Sequence, residues 1–298
     1  MRLFARATRL LIAQPVDLAS LAGLGAALVA AETGGQAVDV LDVSGLDMSF
    51  SVTKDLKKNP NDATIKVFGM APKTRAALQA RAASIVLQAS YDGAPFATVF
   101  RGDVRYAAPE HDGPEWIVTI EAGDGERAQK YGRVSESWRG ATGAGRVVRK
   151  VVESAGIGTG NLDDHAAALD SKLGYQHGYV AHGLATRELD RVLAAAGYEW
   201  SIQDGALQVL RAGQTLEGVV EISPESGLVG SPTLTTGEKK GKPSVLTFKS
   251  LLRPDLRPGQ MISVLSEQYV GVYRAIKIQH DGDTAGTDWY TTIDGVPA

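Results

Sequence analysis

The chain of 298 residues contains no cysteine. It can therefore form no disulfide framework, no thiolate zinc site and no cysteine nucleophile. It also lacks a dominant charge, because 31 lysine and arginine residues against 34 acidic ones leave a net charge of −3. So small an imbalance argues against an overall electrostatic attraction for DNA or for an acidic membrane.

Long apolar runs are missing as well, since no segment provides the ~20 uninterrupted apolar residues that a membrane span requires. The N-terminus superficially resembles a signal peptide, with arginines before an Ala/Leu-rich run at residues 18–31. Gln14, Pro15 and Asp17 interrupt its apolar character, and two glycines weaken any helix. We interpret residues 18–31 as a small-residue helix or loop packed against a neighbour, and we expect no membrane partner.

What the sequence does contain is a pattern of short strands. Its 34 glycines and 12 prolines predict many tight turns. Apolar residues alternate with polar or small ones at Leu46, Met48, Phe50 and Val52, which is typical of a half-buried strand. The length predicts two or three domains. We therefore predict a β-rich α+β fold, with strand-rich domains at residues 1–133 and 213–298 on either side of a small α/β domain at residues 134–212.

The middle region changes to a helical period. It contains four valines with helical spacing, namely Val147, Val148, Val151 and Val152. Gly156 follows them as a predicted helix end, and a second helix is predicted from an N-cap at Thr186 to Gly197. The dipeptide Asp204-Gly205 between two apolar segments predicts a β-hairpin.

The two strand-rich regions share a spacing. Phe100 is followed 16 residues later by Trp116, and Tyr273 is followed 16 residues later by Trp289. After each tryptophan the pattern W-x-x-T-I-acid recurs, and a His-Asp-Gly triplet lies before each, at residues 111–113 and 280–282. We interpret this as a duplicated architecture in which the aromatic residue and the tryptophan form one corner of a barrel core.

Motifs for phosphate and calcium binding are incomplete. The glycine-rich segment at residues 140–145 lacks the Lys-Ser/Thr ending of a P-loop. Asp281-Gly-Asp283 begins like a calcium loop, but Ala285 occupies a ligand position and Thr292 stands where a bidentate glutamate is required. We interpret these segments as a glycine-rich approach to a helix and as a polar hairpin.

Other candidate sites are also weak. His177 and His182 have the wrong spacing for one helical face, and the acidic loop at residues 163–165 is more typical of solvent. Trp138 and Trp200 could stack on sugar, although a buried or interface tryptophan is the commoner case. No G-x-S-x-G motif occurs. We therefore predict no catalytic, cofactor-binding or metal-binding residues and no enzymatic activity.

Several motifs, in their order along the chain, resemble one known family. They are KDLKKNPNDATIKVFGMAP at residues 54–72, WIVTIEAGDGERA at 116–128, SGLVGSP at 226–232, SLLRP at 250–254, Pro258-Gly259, Tyr273-Arg274 and HDGD at 280–283. The chain is similar, over about residues 45–298, to the baseplate hub proteins of contractile phage tails. The first 44 residues carry no motif of this family.

The resemblance implies two tail-tube-like β-barrel domains flanking the small α/β domain, in a homotrimer whose six barrels form a ring. Such a ring meets a hexameric tail tube on one face and a trimeric spike on the other. Implied partners are tube, spike and tape-measure proteins, with DNA passing through the lumen without specific binding. The implied location is the baseplate of the virion, after assembly in the host cytoplasm. Alternatives are a cell-wall glycan-binding module, carried by residues 183–212, and a wall hydrolase.

Three lysines lie in the first of these motifs. We expect Lys54, Lys57 and Lys58 on a strand and turn that protect a barrel edge. They could form ion pairs with a neighbouring subunit or ring, or they could belong to a solvated turn. In either case surface ion pairs contribute little stability.

Overall fold

In a computed structural model, the structure describes residues 6–13, 40–79, 83–91, 94–236 and 243–298. The segment 18–31, predicted as a helix or loop, lies outside them. The helices are α1 (Pro72–Gln79), α2 (Glu126–Tyr131), α3 (Ala144–Ser154), α4 (Leu162–Lys172) and α5 (Ala185–Ala195). The strands are β1 (Arg6–Ala13), β2 (Val40–Asp42), β3 (Met48–Asp55), β4 (Asp62–Phe68), β5 (Ser84–Tyr91), β6 (Ala97–Asp112), β7 (Glu115–Gly123), β8 (Arg133–Trp138), β9 (Thr142–Gly143), β10 (Gly174–Tyr175), β11 (Tyr179–Leu184), β12 (Tyr198–Gln203), β13 (Ala206–Arg211), β14 (Val219–Ile222), β15 (Leu228–Thr235), β16 (Val245–Leu251), β17 (Met261–Leu265), β18 (Val270–Asp283) and β19 (Trp289–Pro297).

Most of these strands belong to one large sheet. Thirteen strands are joined in the order β15-β16-β19-β18-β3-β4-β7-β6-β5-β1-β2, with β17 on β18 and β14 parallel to β17. Three two-stranded pairs, β8-β11, β9-β10 and β12-β13, lie in the middle region. The prediction of a β-rich chain is therefore confirmed. No helix in the described ranges combines the length and apolar character needed to cross a bilayer.

The same five-strand order occurs twice. Strands β3 to β7 and strands β15 to β19 each run first-second-fifth-fourth-third across the sheet, and all these neighbours are antiparallel. The long fourth strand of each set has a bulge at the same place, at Arg105 in β6 and at Ile276 in β18. Bulges are specific local features of a ladder. The internal repeat predicted from the sequence thus has a counterpart in strand topology.

The three largest apolar clusters follow the three regions of the chain, except that two residues of the last region pack in the first cluster, and a small fourth cluster lies between β1 and β5. One cluster is built from β1 to β7, one from the middle region and one from β14 to β19. Trp289 and Leu252, from the last region, pack in the first cluster. The last and first regions are also joined by backbone pairing of β18 with β3. The division at residues 133 and 212 stays a prediction.

The middle region folds largely as its pattern predicts. The four valines of α3 are buried, and Gly156, which follows the C-cap residue Ala155, has a left-handed φ of 71°. Asp204 and Gly205 both have positive φ, at 54° and 79°, which is the geometry of a type I′ hairpin turn. The predicted N-cap at Thr186 is wrong, because α5 begins at Ala185 and extended Leu184 precedes it. The Ala185 N–H donates to the carbonyl of Gly132, so strand β11 leads directly into the helix.

The predicted aromatic corner is wrong. In the ladder Trp116 lies opposite His111 and Trp289 lies opposite Gly282, at the turn end of each hairpin. Phe100 and Tyr273 lie on the partner strands β6 and β18, far from the hairpin turns, and Tyr273 is opposite Pro297. The two tryptophans occupy equivalent ladder positions, but Phe100 and Tyr273 lie at different distances from the bulges, so the 16-residue spacing records neither equivalent aromatic positions nor a side-chain contact.

Candidate functional site

A buried ion pair lies where the middle region meets the sheet. The Lys54 ammonium is 2.7 and 2.8 Å from the two carboxylate oxygens of Asp204, and the lysine side chain is 1% exposed. Every second residue of β3 from Met48 onward is buried, and Lys54 is the last of these buried residues. The expectation that it protects a barrel edge is wrong, because β3 is paired on one side with β4 and on the other with β18.

Asp124 and Asn61 complete this cluster, which we call the polar junction (Lys54, Asn61, Asp124 and Asp204). The Asp124 carboxylate accepts the backbone N–H of Asp204 at 2.6 Å and that of Gly205 at 2.8 Å. The Asn61 amide donates to the carbonyl of Ile202 and, at 3.3 Å, to Asp124. These contacts fix the β12–β13 turn onto the sheet, so the junction sets the position of the middle region.

The electrostatics of the junction follow from burial. Burial, and then the nearby Asp204 carboxylate, raise the pKa of Asp124 to about 7, against the opposing effects of the Gly205 N–H and Lys54. Burial, and then the Lys54 charge, lower the pKa of neighbouring His280 to about 3. The His280 Nδ1 lies 2.9 Å from the Thr291 hydroxyl. The Asp204 carboxylate is held by the Lys54 ammonium and the Asp124 carboxyl by two backbone N–H groups, so these contacts serve to hold structure.

The first prediction concerns pH and Asp124→Asn. The folded protein holds the Asp124 proton more tightly than the unfolded chain does, so the bound proton adds to the free energy of unfolding. This contribution is full below about pH 4 and is lost as the pH rises through 7. It amounts to at most about 4 kcal/mol. We expect the stability of the wild type, relative to the variant, to fall between pH 4 and pH 7 in urea unfolding.

The comparison with Asp124→Asn is needed because the contribution of His280 to the free energy of unfolding changes with pH in the opposite direction. Its pKa is lowered in the fold, so its contribution is present above its ordinary value and is lost on acidification. That contribution is common to both proteins and cancels in the difference. Exposed Asp112→Asn serves as the control and should show no such trend. Parallel stability curves for wild type and Asp124→Asn would refute the assignment.

The other two lysines are exposed and have acidic neighbours within the chain. Lys57 lies 3.1 Å from Asp55, and Lys58 lies 2.5 Å from Asp190 on α5. The Asp190 carboxylate also accepts the indole N–H of Trp200 at 2.9 Å. Ion pairing of these lysines with a second subunit stays a prediction.

The weak motifs occupy ordinary structural positions. At the start of α3 the N–H of Gly145 donates to the Asp170 carboxylate at 2.7 Å, so an acidic side chain lies where a phosphate would bind. The Asp283 carboxylate accepts the N–H groups of Ala285 and Gly286 and closes a turn. Within the described ranges no group of three acidic or histidine side chains is placed to hold a metal.

The remaining candidate residues are dispersed. His177 and His182 are exposed. The prediction of an acidic loop at residues 163–165 is wrong, because they lie in the first turn of α4, where His165 stacks edge-on against Tyr198 with ring centroids 5.6 Å apart. Trp200 is only 3% exposed, which removes it as a sugar-stacking surface, whereas Trp138 is half-buried and lies beside Tyr179. The structure brings none of these into one site.

Two open strand edges are the feature that sequence reasoning missed. In the part of the chain that the structure describes, residues 106–112 of β6 pair with β7 alone, and β15 pairs with β16 alone. The edges carry exposed side chains, including Glu110, Thr233 and Leu234. In the repeated strand order these two edges correspond to the edges of β18 and β3, which are joined to each other.

Comparison with known proteins shows the fold. The sequence matches no protein-family model and no curated protein. The structure is similar to the 43 kDa tail protein of prophage MuSo2 from Shewanella oneidensis, with a TM-score of 0.57, 11% identity, and coverage of 87% of this chain and 94% of that chain. A tail protein from Neisseria meningitidis MC58 gives a TM-score of 0.58 at 8% identity, covering 98% of this chain and 97% of that one.

A third similar structure is the E. coli protein c3393, a component of the type VI secretion system described as similar to the T4 bacteriophage tail proteins gp27 and gp5. Its TM-score is 0.51 at 9% identity, with coverage of 85% of this chain and 73% of that chain. At such identities the likeness concerns the fold. The chain has the fold of phage tail proteins, which confirms the resemblance found in the sequence.

Proposed function

We propose that the chain is a structural hub of a phage tail baseplate, in which two tail-tube-like barrels flank the small α/β domain. The observation that carries the proposal is the five-strand order that occurs twice in one chain. The tail proteins with similar folds support it. Two equivalent units in one chain allow three chains to present six similar positions, which suits a junction between sixfold and threefold structures.

The proposed hub works by geometry and not by chemistry. One face of the ring binds a hexameric tube, and the other face binds a trimeric spike. The tape-measure protein and DNA pass through the lumen, which the net charge of −3 suits because like charges repel at short range. The polar junction would keep the α/β domain fixed on this ring.

The test is the assembly state. In native mass spectrometry the purified chain, of 31.4 kDa, is expected to give a species of three chains, alone or on addition of its spike partner. Lys57→Ala, which alters an exposed ion pair, is the control and should assemble normally. A strictly monomeric chain under both conditions would contradict the hub.

A further inference from the structure

The junction between β18 and β3 shows how the two repeated units are joined within one chain. The strands pair antiparallel, with Asp281 opposite Ser51 and His280 opposite Val52. The Ser51 hydroxyl donates to the Asp281 carboxylate at 2.7 Å, and Val52 is fully buried. The fourth strand of one unit thus binds the first strand of the other.

The ladders define which residues correspond in the fourth strands. Directly after the bulge, Tyr106 of β6 lies opposite Glu121, and Lys277 of β18 lies opposite Asp294. Glu121 and Asp294 are the acidic residues that end the repeated tryptophan motif. Glu110 lies four residues after Tyr106, and Asp281 lies four residues after Lys277. Glu110 is therefore the counterpart of Asp281.

The first strands correspond in the same way. Ile65 of β4 and Phe248 of β16 lie opposite the two isoleucines of the repeated motif. Two residues earlier, Ala63 pairs with Val52 and Leu246 pairs with Leu234. Leu234 is therefore the counterpart of Val52, and Thr233 is the counterpart of Ser51.

Among the described residues no strand pairs with the counterpart edges, and these edges are chemically matched. Glu110 and Thr233 are exposed, and they retain the carboxylate and the hydroxyl that join Asp281 to Ser51. Leu234 is 41% exposed, although its counterpart Val52 is fully buried. A strand placed along each edge would satisfy the backbone groups and cover this leucine.

We propose that the edge of β6 at residues 106–112 pairs antiparallel with β15 of a second copy of this chain, placing Glu110 opposite Thr233 and Pro109 opposite Leu234. The contact joins two different edges, so it is heterologous and propagates head to tail. The closure of a ring after three copies rests on the proposed function, whereas the pairing of the β6 edge with β15 does not.

Both edges are protected against less specific pairing. Pro109 lacks a backbone donor, and the register shift of β15 between Val229 and Thr233 contains Pro232. These features confine the proposed ladder to residues 108–110 and 233–235. Within it, Pro109 removes at most one backbone hydrogen bond.

The absence of cysteine makes disulfide trapping a direct test. We would introduce Glu110→Cys and Thr233→Cys together and oxidise the assembled protein. Directly opposed residues satisfy the separation a disulfide requires. The matched control is Asp112→Cys with Thr235→Cys, on the same edges but out of register by roughly 14 Å. Ser51→Cys with Asp281→Cys is the control for oxidation within one chain.

We expect the first pair to give at least about tenfold more covalently joined chains than the out-of-register pair on a non-reducing denaturing gel. A three-chain product supports both the edge and the ring. A ladder beyond three chains supports the edge and contradicts closure. A native trimer without cross-links contradicts the proposed edge pairing but not the proposed hub function. A monomer without cross-links contradicts both proposals.

Discussion

Replacing Lys54 with methionine is expected to lower the free energy of unfolding by about 3–5 kcal/mol. The side chain is 1% exposed and is the cation of the polar junction. Its removal leaves the largely covered Asp204 carboxylate, and the buried Asp124 beside it, without a compensating charge. Urea unfolding at pH 7 measures the loss.

Lys57→Met is the matched control for this prediction. Lys57 also forms an ion pair with an aspartate, but its side chain is 76% exposed. Its replacement should cost at most about 1 kcal/mol. Adding Asp204→Leu to Lys54→Met should recover part of the loss, since the uncompensated carboxylate is then gone. Equal, small effects of the two lysine variants would show that the junction is not a stabilising contact.

The second large effect is expected for Trp289→Ala, at about 3–5 kcal/mol. The Trp289 side chain is 1% exposed, and its ring makes edge-on contacts with Phe50 at 5.9 Å and Tyr91 at 6.5 Å. It enters the first apolar cluster from the last region of the chain. Its loss therefore opens a cavity where the two repeated units meet, and thermal or urea unfolding measures the cost.

Trp116→Ala is the control, because it removes the same residue type from the equivalent motif. Trp116 is 37% exposed and is covered by His111 and Arg75, whose guanidinium lies 4.0 Å from the ring centroid. Its replacement should cost about 1 kcal/mol. If both tryptophan variants lost equal stability, the two motifs would be equivalent in packing, contrary to the structure.

Local chemistry made much of the fold predictable. The helical spacing of the valines in α3 and the left-handed turn at Asp204-Gly205 depend on neighbours a few residues apart, and both were found as predicted. The predicted cap at Thr186 failed because the backbone of Gly132, distant in sequence, accepts the N–H that begins α5. Helix starts respond to tertiary contacts, whereas helix period does not.

The candidate site was less predictable. The sequence identified Lys54 as notable but assigned it to the protection of a barrel edge, because alternation does not show what packs on a strand. The open edges of β6 and β15 were not foreseen, since strand pairing joins residues far apart in the chain. The sequence repeat revealed the equivalent tryptophans, and only the ladder showed which edge residues correspond.

By itself the sequence determined the β-rich composition, the helices α3 and α5 and the hairpin of the middle region, and the existence of an internal repeat. These depend on side-chain period, turn chemistry and spacing, which are properties of contiguous residues. Only the tertiary structure decided that β18 joins β3, that Trp289 is buried while Trp116 is exposed, and that Lys54 meets Asp204. Each of these depends on which distant surface fills a given space, and that choice is made by packing of the whole chain.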